Sequence, residues 1–123
     1  AKEQLKHPPE PGRAADITRD EFLAWTLGLW TFPGENPRRF GHPAPFPVEL
    51  PYRLMRLYSW GPAQPDGWGD LVCDPYFGSG TTAVVAQRLR RRFIGWEINP
   101  TFVAIARERL SREAPLPSAI AAS

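Results

Sequence analysis

Nine consecutive residues, 74–82 (DPYFGSGTT), constrain the fold of this 123-residue chain more than any other segment. A short apolar run, residues 70–74 (DLVCD), leads into them, and residues 81–90, rich in alanine and valine, follow. Glycines allow the backbone to turn sharply where a strand passes into a helix. The pattern therefore predicts a short buried strand, a tight turn and a helix in immediate succession.

The same order continues after the loop. Residues 92–97 (RFIGWE) predict a second short strand, and Asn99-Pro100 is a typical helix start for a helix that we expect to reach about residue 113. Strands joined through a helix lie parallel, with a right-handed crossover. We therefore expect an α/β fold with a βαβα unit over residues 61–113.

The first part of the sequence predicts less regular structure. Residues 1–15 are polar and Pro-rich, and we expect them to form a flexible arm. Thr18 and Glu21 have the spacing of a capping box, and apolar residues at helical spacing follow, so a helix is expected from there to about Trp30.

A Pro- and Gly-rich loop is expected over residues 31–47, followed by a second helix over residues 48–60 with Pro51 in its first turn. The predicted apolar face of this helix comprises Leu50, Leu54, Leu57 and Tyr58. Residues 16–60 are thus expected to form one unit of helix, loop and helix. Residues 114–123 (APLPSAIAAS) are expected to be a fraying tail.

Composition excludes several classes of protein. A single cysteine, Cys73, rules out an internal disulfide and a multi-cysteine metal site, and its apolar neighbours predict a buried, inert thiol; no metal is expected. No apolar run approaches the roughly 18 residues of a membrane helix, and the N-terminus is unlike a signal peptide, so a cytoplasmic location is expected. Arginine provides 13 of the 15 basic residues, which suits either phosphate contacts or an arginine-preferring source.

The loop at residues 74–82 is suited to binding a ligand, although a purely structural turn is the alternative. It precedes a helix N-terminus, where backbone N–H groups are free. Glu97 ends the next strand, 17 residues after Gly80, at the position that accepts ribose hydroxyls in nucleotide-binding βαβ units. No lysine follows the last glycine, which excludes a P-loop, and the dinucleotide fingerprint is incomplete because Ala83 stands at its third glycine.

Asp74, at the end of the first strand, narrows the class of ligand. A carboxylate there would repel a pyrophosphate but would attract an ammonium or a sulfonium group. S-adenosyl-L-methionine carries both of these cations and no phosphate. The residues themselves therefore favour S-adenosyl-L-methionine over NAD, which is kept as a minor alternative.

Three ordered segments resemble the DNA amino-methyltransferases that modify adenine N6 or cytosine N4. Residues 74–82 are similar to their cofactor loop, D-P-F-x-G-S-G-T-T, with Tyr76 in place of phenylalanine. Residues 42–47 (HPAPFP) resemble the segment that precedes this loop in the permuted β-type members, and residues 92–100 resemble their second strand and acidic residue. The resemblance implies part of a Rossmann-like methyltransferase fold, whose sheet other residues complete.

The resemblance also implies roles for individual residues. Asp74 would face the methionine amino group, Glu97 the ribose hydroxyls and Ile98 the adenine. Phe46 would line the methionine end, and the helix over residues 48–60 would line the cofactor. The full set of implied cofactor contacts is His42, Phe46, Pro47, Asp74, Tyr76, Phe77, Gly78, Ser79, Gly80, Thr81, Glu97, Ile98 and Asn99. Roles without cofactor contact stay open for three of them: core packing for Phe46, a loop hydrogen bond for His42, and a structural role for Tyr76.

The family's catalytic motif, D/N/S-P-P-Y/F/W, is missing, so no catalytic residue is expected in these 123 residues. Its aromatic ring stacks on the flipped base. The only Pro-Pro pair, Pro8-Pro9, follows a histidine and precedes a glutamate. The chain thus resembles the C-terminal, cofactor-binding part of such an enzyme: a subunit of a split enzyme, a fragment or a degenerate remnant.

A split or fragmented enzyme implies partners. We expect a second polypeptide, in a heterodimer, to carry the catalytic motif and the target-recognition region, and double-stranded DNA to be the substrate, as in prokaryotic or phage restriction-modification. Arg38 and Arg39 are the candidate phosphate contacts, whereas residues 90–92 (RRR) suit a helix C-terminus. The alternative function is a non-catalytic docking or regulatory module.

Overall fold

The computed structural model describes residues 11–33 and 46–113. In this part of the chain no helix has the length and apolar character needed to cross a bilayer. The elements, in order, are β1 (Arg13–Ala14), α1 (Arg19–Trp25), α2 (Glu49–Tyr58), β2 (Gly61–Pro62), β3 (Leu71–Asp74), α3 (Thr81–Arg88), β4 (Arg92–Gly95) and α4 (Pro100–Ser111).

The strands β3 and β4 pair in parallel, and α3 connects them. The register sets Leu71 opposite Arg92 and Asp74 opposite Gly95. The predicted βαβα unit is therefore confirmed, with boundaries that differ by only a few residues. As in any parallel pair, the carboxyl ends of the two strands lie at the same edge, which brings the loop after β3 next to the residues that follow β4.

Helix α3 is the most buried element of the described residues. Five of its consecutive residues, from Ala83 to Gln87, are buried, because α2, α4 and β4 all pack against it. Val85 and Ala86 form a core with Met55 of α2. Around this core pack the half-buried residues Val48, Tyr52, Val72, Leu89 and Phe93. The glycine loop thus leads directly into the helix that holds the structure together.

Val72 of β3 and Phe93 of β4 pack against the core, and the opposite face of this pair of strands is open. Leu71 is 56% exposed and Ile94 is 44% exposed. Cys73, predicted to be buried, is also exposed. The prediction was wrong because successive residues of a strand point to opposite faces, and Cys73 lies on the face opposite Val72, which packs against the core.

Helix α1 begins as predicted and ends early. Thr18 is its N-cap, and the capping box with Glu21 is complete. The helix stops at Trp25, not near Trp30, and the Thr26 hydroxyl donates to the Phe22 carbonyl at 2.7 Å. Gly28 then adopts φ 87°, a left-handed conformation in which helices commonly terminate.

The predicted apolar face of α2 divides between the core and a groove. Its buried residues are Pro51, Met55 and Leu57, whereas Leu54 is 42% exposed and Tyr58 is 57% exposed. Leu54 and Tyr58 face an open groove instead of the core. Helical spacing groups residues on one side of a helix, but it does not tell how much of that side a neighbour covers.

The segment before α1 is tied to the rest of the chain, although it falls within the expected flexible arm. Strands β1 and β2 pair in an antiparallel manner, with Arg13 opposite Pro62 and Ala14 opposite Gly61. Arg91, fully buried, pairs with Asp16 and donates to the Ser59 carbonyl at 3.0 Å. Two-residue strands leave no periodicity to detect in a sequence, so this pairing was missed.

Replacing Glu21 with glutamine is expected to destabilise the chain by about 1 kcal/mol at pH 7. The Thr18 backbone N–H donates to Glu21 at 2.9 Å, and this bond, assisted by Arg56, holds the pKa of Glu21 below its ordinary value of 4.5 despite partial desolvation. A lowered pKa stabilises the fold above the ordinary value, and the contribution is lost as pH falls through the folded-state pKa.

Urea unfolding at pH 7 and at pH 3 tests this expectation. The difference in unfolding free energy between wild type and Glu21→Gln should be present at pH 7 and nearly vanish at pH 3. Asp20→Asn, in the same first turn of α1 and exposed, is the matched control. An equal loss for both variants, or a difference that persists in acid, would contradict the role of the capping box.

Candidate functional site

The loop between β3 and α3 is a tight turn built on two glycines. Gly78 has φ 55° and Gly80 has φ 82°, a region that L side chains rarely adopt. The Tyr76 N–H donates to Asp74 Oδ1 at 3.0 Å, and the Gly80 N–H donates to the Phe77 carbonyl at 3.0 Å. The predicted sharp turn at these residues is confirmed.

Two glycines let neighbouring elements approach the loop closely. A Cβ on Gly80 would lie 2.7 Å from the Cβ of Ala106, which belongs to α4. A Cβ on Gly95, the last residue of β4, would lie 2.4 Å from the ring of Phe77. That ring also stacks on Phe93, with centroids 6.3 Å apart. The side chain of Phe77 therefore supports the loop from the side of the sheet.

Glu97 reaches the loop, as the parallel arrangement of the strands predicted. Its Oε2 accepts a hydrogen bond from the Gly78 N–H at 2.9 Å, and its Oε1 accepts one from the Asn99 N–H at 2.8 Å. The carboxylate thus joins the residues after β4 to the glycine loop, 19 residues earlier in the chain.

Several predicted contact residues surround this junction. Ile98 is 99% exposed and Tyr76 is 89% exposed, so both side chains are accessible to a ligand. Asn99 caps α4, since its side-chain oxygen accepts from the Thr101 N–H at 2.9 Å. Sequence reasoning did not separate this capping role from cofactor contact.

Ser79 and Thr81 point their hydroxyl groups towards α4. Ser79 is 4% exposed and Thr81 is 5% exposed. Arg109 Nη1 lies 3.1 Å from the Ser79 hydroxyl and 3.0 Å from the Thr81 hydroxyl. The side chains of these two predicted residues therefore contact Arg109 of α4. Sequence reasoning missed Arg109.

An apolar groove of about 410 Å³ lies between α2 and β3. Phe46 and Asp74, from two separate predicted segments, both line it, together with Thr82, which was not among the predicted contacts. Pro47 follows Phe46, and its carbonyl accepts from the Leu50 N–H at 3.1 Å. Asp74 is the only charged residue among the described residues that line the groove.

Three of the predicted residues have no described position. His42, predicted at the methionine end, and Arg38 and Arg39, predicted to contact phosphate, lie outside the described residues. Their assignments stay predictions. Thr82 belongs to the quoted loop motif and could have been included from the sequence, whereas no signal marked Arg109, because a cation near the end of a helix has an ordinary electrostatic explanation.

Comparison with known proteins gives a consistent family. The profile of the N6/N4 family, described as DNA methylase, matches residues 1–108. The type II methyltransferase M.MjaI of Methanocaldococcus jannaschii is 35% identical over 107 residues, which are 84% of this chain and 33% of M.MjaI. M.Cfr9I of Citrobacter freundii is 40% identical over 95 residues, 77% of this chain and 27% of that enzyme. The chain thus spans about a third or less of these relatives.

Solved structures show the same fold. TTHA0409 of Thermus thermophilus, provisionally a DNA modification methylase and solved in complex with S-adenosyl-L-methionine, has a TM-score of 0.63 at 34% identity, covering 82% of this chain and 36% of its own. The cytosine-N4-specific PvuII DNA methyltransferase has a TM-score of 0.55 at 28% identity, covering 90% and 38%. With its parallel pair of strands, its glycine loop and its acidic residue after β4, this chain belongs to the N6/N4 DNA methylase family.

Proposed function

We propose that this chain is the S-adenosyl-L-methionine-binding portion of a DNA amino-methyltransferase. One observation carries the proposal: an apolar groove whose only charged residue among the described ones, Asp74, lies directly before the glycine loop. A carboxylate in apolar surroundings attracts an ammonium or a sulfonium group and repels a phosphate. A cofactor that carries two cations beside an apolar chain suits this groove.

Glu97 is proposed to hold the ribose. An ionised carboxylate has about four acceptor positions on its two oxygens, and the N–H groups of Gly78 and Asn99 occupy one on each oxygen. One acceptor position remains on each for a ribose hydroxyl. The same two bonds keep the carboxylate beside the loop, so a ribose at Glu97 would lie close to the groove that begins at Asp74.

The remaining contacts are proposed from exposure and position. Ile98, next to Glu97 and almost fully exposed, offers an apolar surface for the adenine ring. At the other end of the site, Phe46 lines the groove together with Asp74 and is 39% exposed. Tyr76, 89% exposed beside the loop, is proposed to contact the cofactor or the polypeptide that completes the enzyme.

The transferred methyl group is proposed to go to an exocyclic amino group of double-stranded DNA, adenine N6 or cytosine N4. Family membership and similarity to type II methyltransferases support this step. Without D/N/S-P-P-Y/F/W, these 123 residues hold no group to bind the target base. We therefore propose that polypeptide outside them, either continuous with the chain or in a separate subunit, carries the catalytic motif and the target-recognition region.

The open edge of β3 supports completion by further polypeptide. The Arg92 N–H donates to the Asp70 carbonyl, and the Trp96 N–H donates to the Asp74 carbonyl, so alternate residues of β3 face β4. The backbone groups of Leu71 and Cys73 consequently face the other edge, where no strand among the described residues pairs with them. Parallel sheets are usually covered on both faces, and open edges attract additional strands.

Replacing Asp74 with alanine is expected to weaken S-adenosyl-L-methionine binding by roughly 1.5–3 kcal/mol, about ten- to a hundredfold, through the loss of a charged hydrogen bond. Calorimetric titration with the cofactor measures the effect. The affinity for S-adenosyl-L-methionine would be measured for the chain alone and for the chain together with the polypeptide that carries the catalytic motif. We expect weak binding in the first case, and DNA methylation only in the second.

Two variants make this experiment specific. In Asp74→Asn the amide oxygen can still accept from the Tyr76 N–H, so the loop is kept and only the charge is lost; its affinity should fall nearly as far as that of Asp74→Ala. Asp66→Asn, in an exposed turn that precedes β3 and so lies at the strand end opposite the loop, should bind like wild type. Absence of cofactor binding in both preparations of the wild type would overturn the proposed function.

A further inference from the structure

The conformation of the glycine loop is not dictated by its own residues. Ser79 lies between Gly78 and Gly80, both at positive φ. Glycine populates positive and negative φ about equally, so a peptide flanked by two glycines has unusual conformational freedom. The hydrogen bonds within the loop, from the Tyr76 N–H to Asp74 and from the Gly80 N–H to Phe77, do not involve Ser79, so groups outside the loop are left to orient it.

Arg109 of α4 makes the selecting contacts. Its Nη1 lies 2.9 Å from the Ser79 carbonyl oxygen, and the Ser79 and Thr81 hydroxyls are within 3.1 Å and 3.0 Å of the same nitrogen. Ala106, one helical turn earlier on α4, contacts Gly80. One face of α4 thus contacts three consecutive loop residues, 79–81, while the Gly78 N–H donates to Glu97.

We propose that Arg109 is a positioning residue for the cofactor, an inference that rests on the proposed function. It fixes Ser79, and with it the direction of the neighbouring N–H groups, before any ligand arrives. Because a preorganised loop loses less conformational entropy on binding, cofactor affinity depends on Arg109 although its contacts with the loop are made through Ser79 and Thr81 and not through Glu97.

The packing of α4 does not rest on Arg109 alone. Asn99 caps the start of the helix, and Glu113, just past its end, pairs with Arg88 of α3 at 2.7 Å. Glu113 also interacts electrostatically with Arg109. With the Asn99 cap and the pair between Glu113 and Arg88 kept, loss of Arg109 should loosen the loop far more than it destabilises the fold.

The experiment compares Arg109→Gln and Arg109→Lys with wild type, using Arg112→Gln on the same helix as the control, since Arg112 is 73% exposed. The first readout is the ¹⁵N relaxation of the Gly78, Ser79 and Gly80 amides in the cofactor-free chain. The second is calorimetric affinity for S-adenosyl-L-methionine, with the completing polypeptide present where wild-type binding requires it. Thermal unfolding shows whether each variant is folded.

Arg109→Gln should increase the fast motion of all three amides and weaken cofactor affinity about tenfold. Arg109→Lys should restore part of both, because an ammonium can still reach one or two acceptors. Arg112→Gln should change neither. Two results would overturn only the role of Arg109. One is that the loop amides are as ordered in Arg109→Gln as in wild type; the other is that Arg109→Gln binds the cofactor as tightly as a wild type that binds normally. A wild-type chain that binds no cofactor would instead overturn the proposed function.

Discussion

Gly80→Ala is expected to destabilise the chain by about 3 kcal/mol and to remove most cofactor binding. Two costs combine. Gly80 has φ 82°, which is unfavourable for a residue with a Cβ, and the added Cβ would lie 2.7 Å from the Cβ of Ala106. Because Gly80 is also the N-cap of α3, relief of the clash must move either the loop or α4. Urea unfolding and cofactor calorimetry measure the two effects.

Gly28→Ala separates these costs. Gly28 has nearly the same φ, 87°, but a Cβ there would meet nothing within 4 Å, so its replacement should cost only about 1 kcal/mol. In the double variant Gly80→Ala with Ala106→Gly, the contact at 2.7 Å is removed and only the tight approach to the Ala106 Cα at 3.2 Å remains, so part of the loss should be recovered. Equal destabilisation by Gly28→Ala and Gly80→Ala would show that α4 does not approach the loop this closely.

Arg91→Met is the second large effect, a destabilisation of about 3 kcal/mol. Arg91 is fully buried, donates to Asp16 Oδ1 at 2.8 Å and to the Ser59 carbonyl at 3.0 Å, and so ties the segment before α1 to the turn before β4. Methionine keeps much of the volume but leaves the carboxylate without its cation. Because the Asp16 side chain is 30% exposed, water lowers this penalty below that of a fully buried pair.

A double-mutant cycle isolates the ion pair. Arg91→Met, Asp16→Asn and the combined variant are compared by urea unfolding, and the combined loss should be clearly smaller than the two single losses together. Arg112→Met, at a 73% exposed position, should leave the unfolding free energy nearly unchanged. Strictly additive losses for Arg91 and Asp16 would mean that the pair contributes no coupling to stability.

The candidate site was largely predictable because most of its residues lie close together in sequence. Asp74, Gly78 and Gly80 lie within seven residues, and Glu97 follows at the spacing that a βαβ unit requires. The hydrogen bond from the Gly78 N–H to Glu97 brings this acidic residue to the loop, as the parallel strands implied. The contacts of these residues with a cofactor stay predictions.

Sequence patterns misjudged which residues are exposed and where α1 ends. Cys73 was expected to be buried, yet it is exposed, since it lies on the uncovered face of β3. Periodicity shows which residues share a face, whereas burial depends on what lies opposite. Similarly, α1 ends at Trp25 because Gly28 turns the chain, although apolar residues continue at helical spacing.

The local features of the chain could be read from its residues alone: the capping box at Thr18, the strand and helix on either side of the glycine loop, and the carboxylate after the second strand. These follow from backbone preferences and spacing between near neighbours. Two further features appear only in the folded chain: Ala106 and Arg109 contact the loop, and Arg91 pairs with Asp16, 75 residues away. No local pattern encodes such contacts, because they arise when distant segments pack together.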